Sequence, residues 1–365
     1  MSLKNKIICT VMSAAMIFTF AGCGQKADTK TIAEYKGEQI PVGIYLYGMA
    51  NSIEDAKSVY FTNAQENKKD DEKIDIEKVD IVSAEIENGK KGSEWILETA
   101  KNYLYQYIAV NEMYNELGCT LPTTIEENID QLIESQKAQS PDFFEYLNKI
   151  GISEDSYKKS MMINYMRNDM FPKYYGEDGP SPVSEEEYKQ QYELQYRRVF
   201  MLPISLVDKN NVPYDDNKKA ELQNKAAEYL GRLNNGEDLE TIAKDYFTFS
   251  TGADASEEDE NIESSLIDKD NYNLPKDFIE KLDNAAEGEY IMAENDFSII
   301  IARKDDLFSN MEDFENMKSS MLSAIKGEEF TNIIEEKANE IADDVHFNEN
   351  SLNRYNVKDF VKRSK

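Results

Sequence analysis

The chain has 365 residues and a formal net charge of −30, because 71 acidic residues outnumber 41 lysines and arginines. This composition makes nucleic acid a poor partner, since phosphate binding requires clustered basic residues. The same charge repels anionic lipid surfaces. Of the three cysteines, Cys9 lies in a segment with the features of an export signal and Cys23 stands at its cleavage point, which leaves one free thiol, Cys119. One histidine and one free thiol cannot assemble a His/Cys metal site, so we expect no metal and no other cofactor. The length is sufficient for two or three domains.

Residues 1–22 have the features of an export signal. Two lysines precede an apolar run over residues 7–20, and the small residues Ala21 and Gly22 lead directly to Cys23. The run is too short to span a bilayer, which takes about 20 apolar residues. The pattern resembles a bacterial lipobox, which implies cleavage before Cys23 and a diacylglyceryl group on its sulfur. That lipid would anchor the mature chain to the extracytoplasmic face of the cell membrane. The alternative is an ordinary secretory signal in which the cysteine is incidental.

The first half of the mature chain is predicted to be mainly helical after a polar tether at residues 23–30. Residues 32–40 have the pattern of two short strands joined by a Lys-Gly turn, and a helix follows from Val42. Residues 64–78 are highly charged and predict a loop.

A long helix is predicted from Ser93 to the residue before Gly118. Its apolar positions alternate spacings of three and four, which places them on one face of the helix. These positions are Ile96, Ala100, Tyr103, Tyr107, Val110, Tyr114 and Leu117. A face rich in tyrosine can line a binding groove, but core packing is the simpler interpretation at this spacing. Further helices are predicted from Thr124, which has capping-box spacing to Glu127, and over residues 141–150 and 153–170.

The second half of the chain mixes strand and helix patterns. The predicted strands are residues 199–204, 297–302 and 345–347. The predicted helices are one that starts with a second capping box at Ser184, two at 217–233 and 239–246, a helical turn at 275–282 and a segment from Phe314. An acidic segment at 254–263 is expected to be a loop. His346, the only histidine, is interpreted as a structural residue in a strand that returns to the first lobe.

Four short motifs occur in order along the chain: residues 32–40, residues 113–118 followed by 124–127, residues 151–153, and residues 183–187 with Tyr192. Behind a lipobox, this order resembles the PrsA and SurA-like family of extracytoplasmic foldases. The resemblance implies an α+β fold. A mostly helical SurA-N-like chaperone domain at 31–190 would be completed by C-terminal helices at 306–365 that pack back on it. A parvulin-like module at 195–305, a small antiparallel sheet flanked by helices, would be inserted between them.

Within that module, residues 197–303 resemble the parvulin type of peptidyl-prolyl isomerase in their scaffold. Residues 233–246 match the family pattern of a Gly turn followed by a helix. By the same resemblance, Leu274 and Phe278, together with Met201, form an apolar client-binding pocket. Such a pocket can bind peptide without any catalytic group.

The polar centre of the parvulin pattern is missing. Phe200 and Ser298 stand where the family has its two histidines, Phe247 replaces a serine, and acidic residues 254–263 replace a Gly-Gly loop. A four-stranded sheet with Phe200 and Ser298 adjacent at its centre would agree with this alignment. Without the histidines, the electrostatic assistance to isomerisation should be largely lost. The three replaced positions are therefore degenerate, and no catalytic residue is assigned.

The leading hypothesis is a membrane-anchored chaperone for unfolded or nascent secreted polypeptides, with an inactive or nearly inactive isomerase module. One alternative is an active prolyl isomerase in which other donors replace the histidines. Another is a surface lipoprotein that binds peptides or other ligands, or that has a structural role in the envelope. The sequence leaves open which clients are bound and whether the chain forms a homodimer.

Overall fold

The computed structural model describes residues 31–66, 75–252, 264–270 and 273–364. The export signal with its cysteine, the tether and the acidic loop at 254–263 lie outside the described residues, so what we expect of them stays a prediction. The described part of the chain is mainly helical and contains three small antiparallel sheets, which confirms the α+β fold class.

Contacts within the chain divide it into two units. Unit 1 lies within Met1–Ser181 and Glu328–Lys365, and unit 2 is Pro182–Gly327. Unit 2 is therefore a continuous piece of chain inserted between two parts of unit 1. Residues 182–190 and 306–327, which the sequence analysis assigned to the helical domain and the C-terminal helices, group with unit 2 in these contacts.

Unit 1 combines helices with a small sheet that contains both the first and the last described strand. Its helices before unit 2 are α1 (Val42–Glu66), α2 (Gly92–Glu116), α3 (Thr123–Gln139), α4 (Pro141–Ile150) and α5 (Glu154–Tyr174). After unit 2 come the C-terminal part of α10 (Met311–Ile341), α11 (Glu349–Arg354) and α12 (Val357–Ser364). Its strands are β1 (Thr31–Tyr35), β2 (Glu38–Pro41) and β9 (His346–Phe347), in the order β2-β1-β9, with a separate pair formed by β3 (Glu85–Glu87) and β4 (Lys90–Lys91).

The predicted tyrosine-bearing face of α2 packs into the core of unit 1. Ile96 and Ala100 have no exposed surface, and Tyr103 and Tyr107 pack against the same core from half-buried positions. Tyr103 lies so close to α1 that a Cβ at Gly48 would be 2.6 Å from its ring, so this position of α1 has to be glycine. The interpretation of the stripe as core packing is confirmed.

Most of the predicted helix ends in unit 1 are found where the capping residues stand. Gly118 follows α2 with φ of +65°, and the Ser153 side chain accepts a hydrogen bond from the Ser156 backbone N–H at the start of α5. The capping box predicted at Thr124 is wrong, because α3 begins one residue earlier, after Pro122, and has no side-chain cap. Thr124 already lies inside the first turn, where its hydroxyl is in the wrong position to act as the N-cap.

The last strand completes the sheet of unit 1. β9 pairs with β1 so that His346 lies opposite Glu34, which confirms the predicted return of the histidine strand to the first lobe. Ser351 Oγ also donates a hydrogen bond to the Thr31 carbonyl at 2.9 Å, and these two residues are 320 positions apart in the sequence. The two ends of the described chain are therefore held together.

The Glu112 side chain on α2 makes three polar contacts within unit 1. Its carboxylate accepts hydrogen bonds from Tyr35 Oη at 2.5 Å and Lys36 Nζ at 3.1 Å, and it pairs with Lys337 Nζ on α10 at 2.9 Å. Burial raises the pKa of Glu112, but the hydrogen bonds from Tyr35, Lys337 and Lys36 outweigh that effect and lower it to about 2. The carboxylate stays charged at neutral pH and links β1, α2 and α10.

We predict that Glu112→Gln lowers the free energy of unfolding of unit 1 by about 2 kcal/mol, because the neutral amide loses the charge on which its donors depend. Trp95, the only tryptophan, lies on α2, so its fluorescence during urea unfolding reports on unit 1. The pKa of Glu112 is lower in the folded protein than in the unfolded chain. The difference between the two proteins should therefore be fully present above about pH 4.5 and disappear as the pH falls towards 2.

Glu116→Gln is the matched control, since Glu116 lies one turn further along α2, is exposed and pairs with the same Lys337 at 3.1 Å. Exposed ion pairs contribute little, so a change below about 1 kcal/mol is expected. Equal destabilisation by the two variants, or a Glu112→Gln effect that persists at pH 2, would contradict the role of Glu112.

Unit 2 is a four-stranded antiparallel sheet with helices on both faces. Its helices are α6 (Glu185–Gln195), α7 (Asp216–Asn234), α8 (Leu239–Thr251), α9 (Phe278–Asn284) and the N-terminal part of α10. Its strands are β5 (Tyr196–Ser205), β6 (Ser265–Asp268), β7 (Tyr290–Glu294) and β8 (Ser298–Asp305), in the order β6-β5-β8-β7. The capping box predicted at Ser184 is confirmed at the start of α6. The edge strands β6 and β7 were not predicted, since each has only four or five residues and β6 has only two apolar residues in succession.

Each face of this sheet carries its own apolar layer. Successive side chains of a strand point to opposite faces. Phe200 and Ile204 on β5 pack with α7 and α8, whereas Met201 packs with α9. Residues of β8 contribute to both layers in the same way. Burial on both faces explains why β5 and β8 have nearly continuous apolar sequences.

Candidate functional site

Phe200 and Ser298, the two positions at which the parvulin resemblance expects histidines, do not come together in unit 2. β5 and β8 are the two central strands, but Phe200 lies opposite Arg303, and Ser298 lies opposite Ser205. Phe200 and Ser298 are thus five register positions apart, so the four-stranded sheet is found but the adjacency that would agree with the parvulin alignment is not. Pairing them would slide one strand by five residues, an odd number, which would exchange the two buried faces of β8 and shorten the ladder. The packing of both faces therefore fixes the observed register.

The centre of the sheet also lacks polar side chains. Every residue over 200–204 on β5 and over 299–302 on β8 is apolar. Phe247, the third replaced position, is half-buried on α8, where its carbonyl accepts hydrogen bonds from the side chains of Ser250 and Thr251. A prolyl peptide bond held against these strand segments would meet no side-chain donor or acceptor along them.

The three predicted pocket residues lie together on the α9 face of the sheet. Met201, Leu274 and Phe278 belong to one apolar cluster. Phe278 has no exposed surface, whereas Met201 and Leu274 are half-buried. The cluster is therefore a packed core, and of the three predicted pocket residues only Met201 and Leu274 keep surface within reach of a ligand. Its role as a client-binding pocket stays a prediction.

We predict that Phe278→Ala destabilises unit 2 by about 3–5 kcal/mol, because it removes a fully buried ring and leaves a cavity. Hydrogen exchange of the β5 and β8 amides measures this effect within unit 2. The matched control is Phe297→Ala, which removes the same side chain from a position that is 61% exposed and should change stability by less than about 0.5 kcal/mol. Similar exchange rates in the two variants would mean that Phe278 is not a core residue.

A small polar cluster lies where β8 begins. The Ser298 backbone N–H donates to Asn295 Oδ1 at 2.9 Å, and Ser205 lies directly opposite Ser298. The Tyr246 hydroxyl is hydrogen-bonded to the Ser205 backbone, and burial raises the pKa of Tyr246 while that hydrogen bond opposes the shift. These hydroxyl groups can donate hydrogen bonds, but none of them titrates near neutral pH.

Unit 1 has an open cleft that the sequence analysis did not identify. Its volume is about 360 Å³, within the range typical of ligand sites, and it is formed by the end of α2, the end of α5 with the chain that follows, and α10. Its apolar lining consists of Met113, Leu117, Tyr174, Pro180 and Ile333. Its charged lining consists of Glu116, Glu336, Lys337 and Glu340.

Helical spacing brings the lining residues of each helix onto one face. On α10, Glu336 and Glu340 follow Ile333 at intervals of three and seven residues. The wall contributed by α5 is fixed by aromatic packing, since the Tyr174 ring centroid lies 5.8 Å from that of Phe330 on α10. The spacing within α10 is visible in the sequence, but the partner helix across the cleft is not.

Within residues 31–66, 75–252, 264–270 and 273–364, no group of His, Cys, Asp or Glu is arranged to hold a metal ion, and no helix is long and apolar enough to cross a membrane.

No protein-family model and no curated protein matches the chain. Among solved structures, it is similar to the foldase protein PrsA from Streptococcus pneumoniae, with 15% identity over 72% of this chain and 94% of that chain and a TM-score of 0.34. It is also similar to the foldase protein PrsA from Lactococcus lactis, with 14% identity over 91% of this chain and 99% of that chain and a TM-score of 0.37. For a SurA-like chaperone of Campylobacter jejuni, the identity is 12%, the coverage is 86% of this chain and 97% of that chain, and the TM-score is 0.20. These solved structures are foldases and SurA-like chaperones, but TM-scores below 0.5 at such identities do not by themselves establish a family or a function for this chain.

Proposed function

We propose that this protein is a lipid-anchored chaperone on the extracytoplasmic face of a bacterial membrane, where it holds unfolded or nascent secreted polypeptides. Its parvulin-like unit 2 is a scaffold without isomerase activity. The observation that carries the chaperone role is the open cleft of unit 1, which combines apolar and charged side chains within reach of solvent. A site of this kind can bind polypeptide without a catalytic group.

The membrane location is supported by the first residues of the mature chain. Cys23 follows the small residues Ala21 and Gly22 behind a basic and apolar segment. A chain with a net charge of −30 is repelled by anionic lipid, so a covalent lipid on Cys23 is the means of attachment that fits this composition.

The absence of isomerase activity is supported by the apolar centre of the sheet. Catalysis of prolyl isomerisation needs preorganised donors or dipoles near the twisting bond. The strand segments 200–204 and 299–302 offer none from their side chains.

The chaperone role predicts that the mature chain, residues 23–365, delays aggregation of a chemically denatured model protein when the two are mixed in equal amounts and light scattering is followed. An unrelated acidic protein of similar size and charge is the control, because it separates client binding from a simple charge effect. If the chain neither delays aggregation nor crosslinks to nascent exported polypeptides, the proposal is wrong.

A second candidate function is a prolyl isomerase that uses hydroxyl donors. The observation that favours it is the pairing of Ser205 with Ser298 across the central strands, together with the Tyr246 hydroxyl that is hydrogen-bonded to the Ser205 backbone. Uncatalysed isomerisation takes about 10–100 s, so a protease-coupled assay on a prolyl peptide detects even modest acceleration. We expect none. Acceleration that is lost in Ser298→Ala or Tyr246→Phe would establish this second candidate instead, and both substitutions avoid the core disruption of Phe278→Ala.

A further inference from the structure

We propose that the cleft of unit 1 binds segments of unfolded polypeptide in which a lysine or arginine is next to a large apolar side chain. This inference rests on the proposed chaperone function and names the site and the class of client segment. It follows from the apolar surface of the cleft, from the pairing of its one cation, and from the carboxylates left on its rim.

The apolar surface of the cleft can take up a large side chain. Met113 is 6% exposed, and Leu117, Tyr174 and Ile333 are half-buried, so part of each apolar side chain still faces the cleft. Covering this surface with a leucine or aromatic ring of a client removes apolar area from water, which favours binding. The volume of about 360 Å³ suits a few side chains of an extended segment and not a folded domain.

The only cation in the cleft lining is already neutralised within unit 1. Lys337 Nζ lies 2.9 Å from Glu112 and 3.1 Å from Glu116. The hydrogen bond that Lys337 donates to Glu112 raises the pKa of Lys337, with burial opposing it, so the ammonium group is held charged by its partners. Lys337 therefore has little charge to offer an acidic ligand.

Two carboxylates of the rim remain uncompensated. Glu336 and Glu340 are exposed on the cleft side of α10, and no cation among the described residues lies within ion-pair distance of either. A client cation that approaches them gains Coulomb energy, whereas an acidic segment is repelled.

One client segment can satisfy the apolar and the acidic parts of the cleft together. The aliphatic stem of lysine or arginine packs along apolar surface while its charged head stays in water. From there the head can reach Glu336 or Glu340, and a guanidinium can also lie against the Tyr174 ring. An apolar neighbour in the client then covers Ile333 and Leu117. Basic-apolar segments fit this cleft better than neutral or acidic ones of equal hydrophobicity.

The test uses the mature chain and three fluorescein-labelled peptides of equal length. In each peptide, every second residue is leucine or phenylalanine. The positions between them are all lysine in the first peptide, all serine in the second and all glutamate in the third. Binding is measured by fluorescence anisotropy. We expect the lysine peptide to bind most tightly and the glutamate peptide most weakly. High salt should reduce the difference because it screens exposed charges.

Glu336→Lys/Glu340→Lys should weaken binding of the lysine peptide by roughly tenfold, and Glu336→Gln/Glu340→Gln should have a smaller effect. Glu127→Lys/Glu145→Lys is the matched control, because it makes the same change of charge at two exposed helical positions of unit 1 outside the cleft lining. Trp95 fluorescence checks that unit 1 of each variant is folded.

Three results would contradict the cleft as the binding site for basic-apolar segments. Equal affinity for the lysine and glutamate peptides, equal loss in the rim and control variants, or tightest binding of the serine peptide would each overturn the assignment. If the wild-type chain still delays aggregation of a denatured protein in such a case, only the site and the client class are wrong. If the wild-type chain binds no peptide and does not delay aggregation, the proposed function is wrong as well.

Discussion

The return of the C-terminal segment to unit 1 is the contact on which the rest of the structure depends. β9 pairs with β1, and Lys337 reaches Glu112, although the whole of unit 2 separates these partners in the sequence. The entropic cost of closing a loop rises only slowly with its length, so a long insertion is tolerated. Unit 1 needs the end of the chain before its sheet is complete, whereas unit 2 is formed from one continuous segment.

In unit 2, the apolar core also explains why the centre of the sheet carries no polar side chain. Phe200 is 4% exposed and belongs to the layer between the sheet, α7 and α8. A histidine at this position would be buried among apolar side chains, at a cost of a few kcal/mol unless it found a hydrogen-bond partner. Helices on both faces leave the central strands no room for a polar network. The unit has the small antiparallel sheet flanked by helices that the sequence predicts, with an apolar centre.

The α10 helix connects the stability of unit 1 with its proposed binding site. Lys337 pairs with Glu112 and Glu116, while Ile333, Glu336 and Glu340 from the same stretch line the cleft. Because Lys337 is committed to its partners, the charge that faces solvent is negative. The selectivity that we propose for the cleft therefore depends on the same ion pairs that hold α10 against α2.

The sequence by itself determined the helices and central strands, because apolar periodicity, glycine and serine caps and the two long apolar runs are local properties. It also indicated that Phe200, Ser298 and Phe247 depart from the parvulin pattern. Only the tertiary structure decided the register of β5 with β8, the edge strands β6 and β7, and the burial of Phe278, since these depend on packing between distant segments. The cleft, too, was decided only by the tertiary structure. Residues near Met113 and Ile333 are more than 200 positions apart, and no local pattern states that their helices meet.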